Sequence, residues 1–60
     1  MNLTDKELTS LEDQLNAEQV LIKKYRAYAG DCSDATLKAK CNTIADKRQQ
    51  HFNTLMGYLQ

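Results

Sequence analysis

Sixty residues, 42% of them hydrophobic, with eight basic and eight acidic side chains, describe one small folding unit without a charge surplus. That balance argues against nucleic acid as a partner, since gripping phosphates needs a basic excess. No apolar run exceeds Val20-Leu21-Ile22, so no membrane span is expected. Two cysteines support neither a disulfide scaffold nor a four-ligand zinc site. Met1-Asn2-Leu3-Thr4-Asp5 has no basic patch leading into an apolar core, so no secretory leader is expected and the chain reads as cytoplasmic. A chain this short has little core of its own, and a partner subunit is the simplest remedy.

The first element is a helix. Thr4 followed by Glu7 fits a capping box, with Leu3 placed to staple against Leu8. Beyond the cap, Leu8, Leu11, Leu15, Glu18, Ile22, Tyr25 and Ala29 recur in alternating steps of three and four, the spacing of a heptad seam. Leu21 and Tyr28 widen the stripe on one side. Gly30 suits the position after a helix, where a left-handed backbone is needed. The helix is therefore expected from about residue 5 to about residue 29, roughly 37 Å long.

With no proline and only Gly30 and Gly57 as glycines, the segment 30–34 is the one strong internal turn signal. Ser33 or Asp34 can cap the helix that follows. Its stripe reads Leu37, Cys41, Ile44, Arg48, His51, Leu55 and Tyr58, with Ala45, Phe52 and Leu59 on one flank. This second helix is expected over about 35–59. Two matched helices joined by a short turn form an antiparallel hairpin, so the fold class is all-α, with residues 1–60 as a single domain. Each stripe is wider than one seam can cover. The expected native unit is a homodimeric four-helix bundle, two hairpins about a two-fold axis.

Three polar residues interrupt the stripes: Glu18, Arg48 and His51. With the turn centred near residue 32, they fall within roughly 8 Å of one layer along the bundle axis. In ferritin-like di-metal bundles one helix of a pair supplies a Glu and the other a Glu-x-x-His. Here the second helix offers Arg48-Gln49-Gln50-His51, an arginine where the bridging carboxylate belongs. Glu18 and His51 are thus candidates for a degenerate metal site, and no cofactor is expected. The favoured reading is a buried polar cluster of Glu18, Arg48 and His51 that sets helix register or dimer geometry.

The other chemistry-bearing residues read as structural. Tyr25 and Tyr28 fit packing, Lys23-Lys24 with Arg26 fits a solvated face, and Cys41 fits the seam as a small hydrophobe. Cys32 lies in the turn, too far from Cys41 for a bridge. No Ser/His/Asp or Cys/His arrangement and no glycine-rich phosphate loop is present. An enzyme is not expected.

Leu11-Glu12-Asp13-Gln14-Leu15-Asn16-Ala17-Glu18, Leu21-Ile22-Lys23-Lys24-Tyr25 and Tyr28-Ala29, with Asp34, Leu37-Lys38, Ile44-Ala45 and Gln49-Gln50-His51-Phe52 before Leu55, resemble the short spore coat proteins of endospore-forming bacteria. Members of that coat protein F-like group are similar to half of a ferritin-like bundle. Glu18 and His51 match the group's pattern; Arg48 departs from it, where a His or a carboxylate is usual. The resemblance implies a non-enzymatic structural or assembly protein deposited in the spore coat, whose partners are itself and other coat proteins. A ferritin-like metal-binding or redox protein, and a helical-hairpin regulator of another protein, are the alternatives.

Overall fold

The computed structural model describes residues 3–60; the reading of Met1 and Asn2 as free of a leader lies outside them. These residues form two helices, α1 over Asp5–Asp31 and α2 over Ala35–Gly57, and no strand. Among the described residues no helix is long and apolar enough to cross a membrane.

The start of α1 is the expected capping box. The Thr4 hydroxyl accepts from the Glu7 backbone N–H at 3.1 Å, and the Glu7 carboxylate accepts from the Thr4 N–H at 3.2 Å. Two otherwise unsatisfied donors are thereby paired at the helix terminus. Leu3 and Leu8 line a common surface depression with Tyr58, consistent with the staple.

The end of α1 differs from expectation. The helix runs through Gly30 to Asp31 and stops at Cys32, whose backbone is extended. No glycine among the described residues has a positive φ, so Gly30 is an ordinary helical residue and not a left-handed cap. The connection shrinks to Cys32, Ser33 and Asp34. Asp34, not Ser33, caps α2, its carboxylate accepting from the Leu37 N–H at 3.0 Å. At its far end α2 gives way to tighter turns at Tyr58 and Leu59, whose N–H groups bond to the carbonyls of Leu55 and Met56.

The hairpin is a rod 46 × 14 × 11 Å, one layer of two helices. Its radius of gyration is 14.2 Å, against about 10 Å for a compact chain of this length. On α1 the buried residues are Leu15, Glu18 and Ala29, with Leu11, Ile22 and Tyr25 half-buried, so the expected stripe stands apart from the exposed Leu8. On α2 the seam is rotated from the expected one. Cys41, Ala45 and Leu55 are buried and Phe52 and Met56 half-buried, while Ile44 is 36% and Leu37 52% exposed. His51 and Tyr58 are exposed as well. Two causes act together. Ala45, at 0% exposure, is a small side chain that fits fully between the helices. Turning Arg48 and His51 toward the edge keeps their polar heads wet, which avoids the desolvation penalty of a central cation.

Candidate functional site

The longer α1 moves the midpoint of the connection to Ser33, which sets Arg48 opposite Glu18 in the antiparallel register. The Glu18 side chain is only 9% exposed, and two groups from α2 converge on its Oε1. Arg48 Nη1 donates to it at 3.3 Å, and His51 Nδ1 lies 3.1 Å away. The three residues that interrupt the stripes therefore do meet. The cluster is buried only at Glu18, however: the Arg48 and His51 side chains are 44% and 51% exposed. Both sit at the rim of the seam because a two-helix layer has no second wall to enclose them.

The second Glu18 oxygen is unusual. Oε2 is buried and has no hydrogen-bond partner. A buried acceptor left unpaired destabilises a fold by about 1–3 kcal/mol, so such atoms are rare in finished structures. Arg48 is correspondingly under-used: a guanidinium carries five N–H donors, and one of them is engaged within the chain.

Among the described residues no group of three or more His, Cys, Asp or Glu side chains is placed to hold a metal ion. Glu18 with His51 supplies two ligands, and Arg48 donates to the same carboxylate oxygen, placing positive charge where a divalent cation needs negative charge. Within one chain, this cluster does not supply a metal centre's donor set.

The two long edges of the hairpin differ in chemistry. On one, Arg26 donates to Asn42 at 3.0 Å and to Asp46 at 2.6 Å. This is a clasp between the helices, where the sequence pattern alone predicts a solvated basic face. Asn42 and Asp46, one turn apart on α2, are the signal that points to it once the register is known. The opposite edge carries residues two positions away on each helix, a rotation of about 200°: Tyr28 from α1, and Ile44 from α2. Tyr28 is exposed, packed edge-on against Tyr25 at 6.1 Å between ring centroids, with Lys24 Nζ 5.8 Å from its ring. Leu37 and His51 extend the same edge at heptad spacing from Ile44. Ile44, Lys47, Arg48 and His51 line a shallow depression there. Cys41 is buried and Cys32 half-buried, and both are free thiols.

Comparison with protein-family models, with curated proteins and with solved structures finds no match to this chain.

Proposed function

We propose that this chain is a non-enzymatic structural or assembly protein of the spore-coat kind, made in the cytoplasm and deposited in the coat, and that it works through association of its helices with a second copy and with other coat proteins. The observation that carries the reading is the apolar edge. A one-layer hairpin leaves Leu37, Ile44 and Tyr28 exposed along one side, and concentrated apolar surface of this kind marks an association site. The spore coat enters through the resemblance of the helical pattern, and a coat component has use for such a surface.

A ferritin-like metal-binding or redox role is the second reading. It is favoured by the shared contact of Glu18 and His51 and opposed by Arg48 on the same carboxylate. A helical-hairpin regulator stands third, and an apolar edge that remains open in the assembled protein is the outcome that would bring it forward.

Association predicts linkage of folding to concentration. For a dimer, about a hundredfold rise in protein concentration adds about 2.7 kcal/mol to the unfolding free energy. Urea melts followed by circular dichroism across such a range test this. A midpoint independent of concentration, with a folded 6.9 kDa monomer by sedimentation, overturns association. Expression in a sporulating host, followed by fractionation of mother cell and spore, tests the coat assignment separately. Recovery only in the soluble fraction overturns it.

A further inference from the structure

Self-association by itself leaves open which face is used and what sets its register. Resting on that reading, we propose that a second copy of this chain docks on the Leu37–Ile44–His51 edge about a two-fold axis, and that Arg48 of each protomer completes the hydrogen bonding of the other protomer's Glu18.

Three observations converge on this arrangement. The first is area. A compact monomer of 6.9 kDa exposes about 4,000 Å², whereas this chain exposes 4626 Å². Two such chains packed to the compactness of one protein of twice the mass would bury about 2,600 Å² between them. That lies inside the range of about 2,000–5,000 Å² typical of obligate homodimers.

The second is the choice of edge. The Arg26 clasp to Asn42 and Asp46 already bridges the two helices with charges of both signs, so that edge is polar and internally paired. The opposite edge presents Tyr28, Leu37 and Ile44, all exposed. Aliphatic and tyrosine side chains of this kind supply the apolar part of an interface, with Lys47, Arg48 and His51 beside Ile44 as its polar part.

The third is charge complementarity at the centre of that edge. Glu18 offers a buried acceptor without a donor, and the half-exposed Arg48 offers donors that are not engaged within the chain. A two-fold axis is the one symmetry that presents each to its counterpart, because a residue pair across it is repeated in the reverse sense. The terminal torsion of a glutamate is broad and two-fold. The carboxylate can therefore give one oxygen to its own Arg48 and turn the other toward the partner's Arg48. The layer then holds two carboxylates and two guanidinium groups, neutral overall, with His51 of each copy beside it. A buried pair of this kind fixes register more than it stabilises. Within a heptad seam that otherwise permits sliding, that is the function the layer supplies.

The test exchanges charges between chains, with a chelator present throughout. Glu18→Arg places two cations in one chain, and Arg48→Glu places two carboxylates in the other. Each variant alone should lose dimer and helix at concentrations where the wild type keeps both. Mixed in equal amounts, they should recover helical circular dichroism and give a heterodimer by native mass spectrometry, because only pairing between chains restores opposite charges. The double variant Glu18→Arg/Arg48→Glu restores pairing within and between chains alike. Recovery in the double variant without recovery in the mixture overturns the exchanged pairing. The choice of edge is read independently with surface variants. Ile44→Lys should weaken the dimer at least about tenfold, since it buries an unpaired charge, whereas Asn53→Lys, at an exposed position one heptad beyond Asp46 on the clasp side, should leave it unchanged. The reverse order overturns the proposed edge, whatever the charge exchange shows. A wild type that sediments as a folded monomer overturns the self-association reading itself, whereas a stable wild-type dimer that fails the other two tests overturns only this interface.

Discussion

Ala45→Leu tests where the helices meet. Ala45 is fully buried at 0% exposure, while its neighbour Ile44 is 36% exposed, so the structure seats the alanine in the seam between α1 and α2. Leucine at this position adds three carbon atoms to a side chain that has no exposed surface. Overpacking of that sort costs about 1–3 kcal/mol. Alanine and leucine have nearly equal helix propensity, so the loss reports packing and not local helicity. A chain of this length is stable by about 3–9 kcal/mol, which makes the substitution a large fraction of the total. At about 4–8 °C per kcal/mol for a small domain, a loss of about 2 kcal/mol lowers the melting temperature by roughly 8–16 °C. The assay is thermal and urea unfolding by circular dichroism, at one protein concentration, beside Ile44→Leu. The latter conserves volume and should cost less than about 1.5 kcal/mol. A stable Ala45→Leu protein together with a strongly weakened Ile44→Leu protein would refute the rotated seam and restore the one centred on Ile44.

Gly30→Ala should stabilise the protein by about 0.5–1 kcal/mol, because Gly30 is helical with a negative φ and a Cβ there meets nothing within 4 Å; a loss of stability in denaturant melts would point to a left-handed glycine after all. The Thr4 hydroxyl and backbone N–H, in that order, hold the Glu7 carboxyl below its ordinary value of 4.5. The native state therefore binds fewer protons than the unfolded one, so this contribution is fully present above pH 4.5 and is lost as pH falls through the lowered native value. An NMR titration should show Glu7 returning to the ordinary range in Thr4→Ala, and an identical titration in both proteins would remove the capping box as the cause. Arg48→Glu should unfold more readily than wild type without metal and recover on addition of manganese or zinc, since it creates Glu-x-x-His beside Glu18 and metal binds the folded state. Equal metal stabilisation of wild type and variant would advance the ferritin-like reading.

Much of the architecture is local and therefore legible in sequence. The Thr4–Glu7 cap, the Asp34 cap and the three-four spacing of apolar residues depend on groups within a few positions of each other, where backbone geometry alone determines who meets whom. The same spacing places Glu18, Arg48 and His51 in one layer, because two antiparallel helices of fixed rise leave little freedom along the axis. Rotation about the axis is different. Whether Ile44 or Ala45 faces α1 changes no local interaction on α2, and both lie within one apolar stripe. That choice is made by full burial of the small Ala45 and by the preference of Arg48 and His51 for the rim, which exist only once α1 is alongside. The Arg26 clasp to Asn42 and Asp46 is likewise invisible until the register is known. So too is the helical state of Gly30, which a glycine adopts as readily as the left-handed one. Composition and periodicity determined two helices and their pairing; tertiary contact decided which faces they spend on each other, and so which edge is left exposed.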